Sequence, residues 1–287
     1  MKNIENTKGR MKLMLSRAAV YAFLIFLTVL CLFSFYMLII NSTRSNGELQ
    51  AGFTLLPSTH FVENFVNAWN DASINIPRGL LNSFFIAACT SLITCYFSAL
   101  TAYGIHAYDF KLKKVAFTFI MAVMVIPKQV SAVGFVQLCI KLGLTNSYLP
   151  LILPSIAAPL VFFYLKQYME SVLPMEIVDA ARVDGSHEFR TFNSIILPML
   201  KPALAVQLIF SFVESWNNYF IPALLLDKAH MKTVPIMIAQ LRSADYSKFD
   251  MGKVYMFILL AIFPVMIVYI FLSKSIIRGV TAGSVKG

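Results

Sequence analysis

Long apolar stretches separated by short polar segments dominate this sequence. The stretch 18–40 contains no charged residue, and five more apolar stretches follow at about 79–104, 115–140, 148–169, 199–226 and 251–273. About 20 apolar residues in an α-helix cross the roughly 30 Å of hydrocarbon in a bilayer. The pattern predicts an all-α, polytopic membrane protein with about six transmembrane helices. The first stretch is longer than the apolar part of a signal peptide, so we interpret it as a retained span.

Prolines modify two of these predicted helices. Pro127 interrupts the third stretch, and Pro264 is expected to kink the sixth. Lys128, directly after Pro127, is an unusual charge for such a position. One interpretation is that a broken helix here lines a cavity. The other is that Lys128 already reaches the outer interface and extends its ammonium group into water.

The charges indicate the orientation. The chain is 58% hydrophobic and 13% charged, with a net charge of +10, and its basic residues are distributed between the apolar stretches. This distribution gives no indication of a nucleic-acid partner and is typical of a protein surrounded by membrane lipid. The excess of Lys and Arg on one side predicts that both termini are cytoplasmic. We therefore expect a cytoplasmic N-terminal tail (1–17), a transmembrane domain (18–276) and a cytoplasmic C-terminal tail (277–287).

No pattern of catalytic or metal-binding residues is visible. The four cysteines and four histidines are scattered, without the spacing of metal ligands. The single Gly-Lys pair, Gly252-Lys253, lacks the upstream glycine and the following Ser or Thr of an ATP-binding loop. We expect a chain that is not an enzyme and binds no cofactor or metal of its own.

A polar loop at about 172–198 interrupts the apolar pattern between the fourth and fifth stretches. Pro174 suits the first turn of a helix, and Gly185 suits a helix end in the left-handed conformation. Ser186 is then expected to cap a second helix, about 187–196, which ends before Pro198. The loop is predicted to be a helix, a tight turn and a second helix at the inner membrane surface.

The first helix of this loop is amphipathic. Its acidic residues Glu176 and Asp179 lie in the early turns, where negative charge matches the helix dipole. A common face is predicted for Ile177, Ala180, Ala181 and Asp184. Spacing alone leaves two interpretations open, an ordinary interfacial hairpin and a docking element for a soluble partner.

The motifs of this loop and beyond resemble a known family. Asp179-Ala180-Ala181, then Gly185, then Ile195-x-Leu197-Pro198 resembles the EAA loop of binding-protein-dependent ABC importers, with Asp where that family usually has Glu. Motifs similar to the carbohydrate-importer branch are Asn82-Ser83, Ala102-Tyr103-Gly104, Ile126-Pro127, Leu142-Gly143-Leu144-Thr145-Asn146-Ser147, Ser215-Trp216-Asn217-Asn218 and Arg278-Gly279-Val280-Thr281-Ala282-Gly283. The similarity covers nearly all of residues 80–287 and is to the maltose-type permease subunit.

This resemblance implies a function and a set of partners. The chain would be a permease subunit in the bacterial cytoplasmic membrane that takes up a sugar delivered by an extracellular sugar-binding protein. It would form half of the translocation pathway with a second homologous permease. A cytoplasmic ATPase dimer would bind ATP and Mg and would dock on the coupling residues Glu176, Asp179, Ala180, Ala181, Asp184, Gly185 and Pro198. The alternatives are a permease for a non-sugar or modified-sugar solute and an autonomous ion-coupled carrier.

A polar group inside the fifth stretch is the candidate for the translocation pathway. Glu214 lies towards the middle of the stretch 199–226, about 12 residues from its second end, or roughly 18 Å along a helix and near the bilayer centre. A carboxylate at that depth is expected to face protein or water. Together with Trp216, Asn217 and Asn218 it offers the groups that bind a sugar. These four residues and Lys128 are the candidate pathway residues, although polar residues can also tie neighbouring helices together.

Overall fold

The computed structural model describes the backbone of residues 2–243 and 250–284, and side chains within 13–127, 129–241 and 250–271. All regular structure in these ranges is helical. The α-helices are α1 (Lys2–Ser42), α2 (Asn46–Gln50), α3 (Phe61–Trp69), α4 (Ile76–Ala107), α5 (Lys113–Met124), α6 (Lys128–Lys141), α7 (Leu149–Ile152), α8 (Pro159–Val172), α9 (Met175–Val183), α10 (Glu188–Thr191), α11 (Leu197–Met199), α12 (Lys201–Trp216), α13 (Phe220–Leu225), α14 (Val234–Ser243) and α15 (Met251–Ser284). Two 3-10 turns (Leu153–Ile156, Ala229–Met231) and one π-helical segment (Phe192–Ile196) complete the described elements.

The helices confirm the predicted fold class. Within the described residues, four helical stretches are long and apolar enough to cross a membrane: Leu13–Ser42, Ile76–Ala107, Leu149–Val172 and Met251–Phe271. Two bent helix pairs bring the number to six if each pair is one span: Lys113–Met124 with Gln129–Lys141, and Glu188–Met199 with Lys201–Trp216. The chain is therefore an all-α polytopic membrane protein.

The helix break in the third span agrees with the prediction from the sequence, whereas the break in the fifth span was not predicted. Pro127 separates α5 from α6, as predicted, because it caps α6 with an extended backbone (φ −62°, ψ 128°). The prediction of a continuous helix over 199–226 is wrong, since α12 ends at Trp216 and α13 begins only at Phe220. Two consecutive asparagines occupy the break, and their side chains compete with the backbone for hydrogen bonds. Pro264 lies inside α15, which continues through it.

The chain divides into two compact units, and the first comprises the described residues of 2–70 and 250–260. In this unit a buried polar turn follows α1. The Arg44 side chain donates to the carbonyl oxygens of Glu48 and Gly52, and the Asn64 amide donates to those of Ser42 and Arg44, both at 2.9 Å. Ser42 and Glu48 lie in the last turns of α1 and α2, so two of these bonds satisfy backbone acceptors that the end of a helix leaves without partners. A cavity of about 340 Å³ lies beside the turn and is lined in part by Arg44.

The second unit, comprising the described residues of 71–243 and 261–284, is built around α4. This helix packs against α8 and α12. Its buried positions carry small residues, which let helix backbones approach closely in a membrane protein; they include Ala87, Ser91, Ser98, Ala99 and Ala102. Its polar side chains reach neighbouring backbone, since Thr94 donates to the Ser155 carbonyl oxygen at 3.2 Å.

The first turns of α4 hold a loop that joins α13 to α14. The Asn82 amide donates to the carbonyl oxygens of His230 and Lys232, both at 2.9 Å, and the Ser83 hydroxyl accepts from the Val234 backbone N–H at 2.9 Å. Asn82 and Ser83 are both buried. One end of α4 thus fixes a loop through side chain to backbone hydrogen bonds.

Candidate functional site

The helix α9 forms as the sequence predicts, with the predicted glycine at its end. Pro174 has an extended backbone and is the N-cap of α9. It therefore lies just before the first turn, in which it was predicted. Gly185 is left-handed at φ 73°, its N–H donates to the Arg182 carbonyl oxygen at 3.0 Å, and the Ser186 N–H donates to that of Ala181 at 2.9 Å. These two bonds are the Schellman arrangement that closes a helix at a left-handed residue. The chain therefore reverses sharply after α9.

The second helix of the loop differs from the prediction at both ends. Ser186 is not its cap, and its hydroxyl oxygen accepts from the Thr191 hydroxyl at 2.9 Å. The cap is His187, whose Nδ1 accepts from the Phe189 N–H at 3.3 Å. The predicted end before Pro198 is also wrong. The chain stays helical through the π segment Phe192–Ile196 and α11, in which Pro198 occupies one of the first two positions.

The two alanines of the loop motif point to different sides of α9. Ala181 is buried together with Val178, which is 0% exposed, whereas Ala180 is exposed. The predicted common face of Ile177, Ala180, Ala181 and Asp184 is therefore exposed only in part, with Ala180 and Asp184 exposed and Ala181 buried. The exposed face of α9 follows the spacing i, i+3, i+4, i+7 and consists of Glu176, Asp179, Ala180 and Val183. Val183 is 88% exposed, so an apolar side chain lies uncovered between acidic ones.

A cluster of charged and phenolic side chains ties α9 to α10 and α4. The Arg182 side chain donates to Asp179 at 3.1 Å and to Glu188 Oε1 at 2.9 Å, and the Tyr103 hydroxyl donates to Glu188 Oε2 at 2.9 Å. The Arg182 guanidinium also lies 5.3 Å from the centre of the Tyr108 ring. Burial raises the pKa of the Tyr108 phenol, and the Glu188 carboxylate raises it further. The hydrogen bond to Glu188 raises the pKa of Arg182.

Two more side chains of α4 contact the same loop. His106 Nε2 lies 3.2 Å from the Leu173 carbonyl oxygen, and the Tyr96 hydroxyl donates to Asn193 Oδ1 at 3.3 Å. Sequence reasoning missed these contacts and the cluster around Arg182. The only signal was that Tyr103 belongs to a family-like motif at the end of the second predicted span.

The candidate pathway residues lie at the end of α12. Glu214 is two residues before the end of this helix. Glu214, Asn217 and Asn218 are exposed next to the helix break. Trp216 is instead 4% exposed and stacks on Phe212, with ring centres 5.8 Å apart. The structure brings the carboxylate and the amides to one break and places the indole in the packed interior.

Two other predictions from the sequence concern Lys128 and metal binding. Lys128 is the first residue of α6, and its side chain lies outside the described residues. Among the residues that the structure describes, no group of three or more His, Cys, Asp or Glu side chains could hold a metal ion.

Comparison with known proteins agrees with this architecture. Residues 96–281 match the family model described as binding-protein-dependent transport system inner membrane component. The chain belongs to this family. One relative is the arabinooligosaccharides transport system permease protein AraQ of Bacillus subtilis (strain 168), 34% identical over 277 residues, which cover 94% of this chain and 96% of the relative.

Two further comparisons give the same result. The trehalose/maltose transport system permease protein MalG of Thermococcus litoralis is 30% identical over 266 residues, covering 92% of this chain and 94% of the relative. One similar solved structure is the crystal structure of a bacterial ABC transporter involved in the import of the acidic polysaccharide alginate. One of its chains superposes on this protein with a TM-score of 0.78 at 19% identity, covering 90% of this protein and 95% of that chain. The structural similarity concerns the fold, and the predicted family and the multi-pass location in the inner membrane are confirmed.

Proposed function

We propose that this permease is one of two membrane subunits of an ABC importer for a sugar delivered by an extracellular binding protein. Relatives named for arabinooligosaccharides and for trehalose/maltose, which align over more than nine-tenths of the chain, support the substrate class. A second, homologous permease completes the translocation pathway. Both termini are cytoplasmic, with the tail 1–17 before the transmembrane domain 18–276 and the tail 277–287 after it.

We also propose that the exposed face of α9 couples the permease to ATPase subunits. Val178 and Ala181 anchor one side of α9 in the core, while Val183 is uncovered beside Glu176 and Asp179 on the other side. An isolated apolar side chain flanked by acids fits a groove with an apolar floor and a basic rim on a partner protein. We assign this groove to a cytoplasmic ATPase dimer that binds ATP and Mg. The permease itself is non-catalytic in this proposal.

The break between α12 and α13 is the proposed polar part of the pathway. Non-helical backbone at membrane depth is tolerated where it lines a cavity or is buried in protein. The exposed amides of Asn217 and Asn218 and the carboxylate of Glu214 lie at this break. We assign these three side chains to the pathway, together with Lys128, and Trp216 supports the wall behind them.

The coupling role is tested by placing a charge on the docking face. In Val183→Asp the side chain is already 88% exposed, so the fold of the isolated chain is expected to be unchanged. A carboxylate forced into an apolar groove costs several kcal/mol. We expect ATPase co-purification and sugar uptake to fall at least about tenfold, which corresponds to about 1.4 kcal/mol.

A matched control variant is available on a neighbouring loop. Leu112 is 64% exposed and lies just before α5, so Leu112→Asp makes the same kind of change outside α9. It is expected to retain ATPase binding and uptake. Gly185→Asp is expected to abolish transport without loss of membrane insertion. A Cβ at this position meets no atom within 4 Å, so the strain of an L residue at φ 73° acts only on the turn that ends α9. Normal ATPase binding and uptake by Val183→Asp would overturn the coupling role of α9.

A further inference from the structure

One side of α4 carries three polar side chains that all end on the loop containing α9. These are Tyr96, Tyr103 and His106. At about 100° per residue they lie within an arc of about 80° around the helix. We infer that Tyr103 and His106 are positioning residues through which α9 and α4 move as one body, an inference that rests on the proposed coupling role of α9.

The contacts of α4 bracket α9 at both of its ends. His106 meets the carbonyl oxygen of Leu173, two residues before α9, at 3.2 Å. Tyr103 donates at 2.9 Å to Glu188, the first residue of α10 after the turn. A segment held at both ends by one helix cannot shift along the membrane surface without moving that helix or breaking a hydrogen bond.

Arg182 connects this bracket to the docking face. Its side chain lies between Glu188 at 2.9 Å and Asp179 at 3.1 Å, and Asp179 belongs to the exposed face of α9. A path of charge-assisted hydrogen bonds therefore runs from Asp179 through Arg182 and Glu188 to Tyr103. Such bonds are shorter and stronger than those between neutral groups, and they are directional.

The surroundings of Tyr103 make the connection stiff. Its side chain is 3% exposed, and its ring lies 5.7 Å from that of Phe192, which is 1% exposed. Closely packed interiors have low compressibility and transmit strain. Since α4 has 32 residues, or about 48 Å at about 1.5 Å per residue, a movement received at its end is carried through the hydrocarbon region.

The experiment uses the complete transporter, with its ATPase and binding protein, reconstituted in vesicles. Tyr103→Phe keeps the packed ring and removes only the hydroxyl, and Glu188→Gln keeps the shape and removes the charge. Both variants are expected to retain ATPase co-purification and basal ATP hydrolysis, because the docking face is unchanged. Sugar transported per ATP hydrolysed is expected to fall at least about threefold.

Three additional variants separate positioning from general stability. Exchanging the charges in Arg182→Glu with Glu188→Arg is expected to recover part of the loss that Arg182→Glu causes alone. Thr101→Val is the matched control, because it also removes one hydroxyl from α4, where Thr101 is exposed and donates to the Phe97 carbonyl oxygen at 2.8 Å. It is expected to transport as the wild type does.

The outcomes distinguish this inference from the proposed function. Wild-type transport per ATP in both Tyr103→Phe and Glu188→Gln would overturn the positioning role, even if Val183→Asp abolishes ATPase binding. Loss of ATPase co-purification in both variants would also overturn it, since the side chains would then only stabilise α9. If instead Val183→Asp binds ATPase normally, the coupling role of α9 itself is wrong.

Discussion

Gly252 allows α15 to approach the turn after α1 more closely than a residue with a Cβ could. A Cβ built at this position would lie 2.5 Å from the carbonyl oxygen of Arg44 and 2.8 Å from both side-chain polar atoms of Asn64. Asn64 is 3% exposed and already donates to the backbone of Ser42 and Arg44. Gly252→Ala therefore forces a methyl group against backbone and a fixed amide rather than against a flexible side chain.

The energetic terms for Gly252→Ala have opposite signs. Overpacking of this kind costs about 1–3 kcal/mol. Displacing the Asn64 amide leaves buried acceptors without partners, at about 1–3 kcal/mol. Alanine gains at most about 1 kcal/mol over glycine from helix propensity. The steric and hydrogen-bond terms win, and we expect a net destabilisation of about 2–4 kcal/mol.

Thermal unfolding of the purified chain in detergent measures this effect. Gly252→Ala is expected to melt well below the wild type. Gly134→Ala is the control, because Gly134 is also in a helix but a Cβ there would meet nothing within 4 Å. Gly79→Ala is expected to fall between the two, since its Cβ would overlap only the flexible end of Met237. A Gly252→Ala variant as stable as the wild type would refute the reasoning.

Two further predictions concern a loop residue, Asn146, and a residue in the first turn of α2, Glu48. Asn146 is left-handed (φ 54°), and its Oδ1 accepts from the backbone N–H groups of Asp227 at 2.8 Å and Lys228 at 3.0 Å. Asn146→Ala is expected to lose about 2–4 kcal/mol and Asn146→Asp much less, and equal melting temperatures of the two variants would contradict this. The pKa of Glu48 is held below its ordinary value of 4.5, chiefly by the hydrogen bond from the Ser45 backbone N–H. The stabilisation from Glu48 is therefore complete above pH 4.5 and is lost as the pH falls through the lowered pKa. If a Glu48→Gln variant loses as much stability below pH 4.5 as the wild type does, this role of Glu48 is wrong.

The parts of the fold that follow from local chemistry were predictable from the sequence. The lengths of the apolar stretches predicted the spans, because the thickness of the hydrocarbon region sets how many apolar residues a spanning helix needs. Pro127 broke the third span and Gly185 ended α9, because each restricts or permits a backbone conformation wherever it occurs.

Features that depend on distant contacts were not predictable. The burial of Ala181 and Val178 depends on the elements that cover that side of α9, and the burial of Trp216 follows from its stacking on Phe212. The contact between Tyr103 and Glu188 joins residues 85 positions apart. A single sequence shows no periodicity that links such positions. The candidate pathway and coupling residues therefore stay predictions, while the geometry around them is now defined.

The hydrogen bonds of α4 also set an order for assembly in the membrane. Its acceptors lie far downstream, at a separation of 61 residues for Thr94 and Ser155, 85 for Tyr103 and Glu188, and 148 for Asn82 and His230. Because synthesis proceeds from the N-terminus, α4 leaves the ribosome before any of these acceptors exists. A nascent chain truncated before Ser155 would carry these donors without their final partners, in surroundings where an unsatisfied polar group is costly. The helix α4 therefore reaches its final set of hydrogen bonds only after the later spans have entered the bilayer.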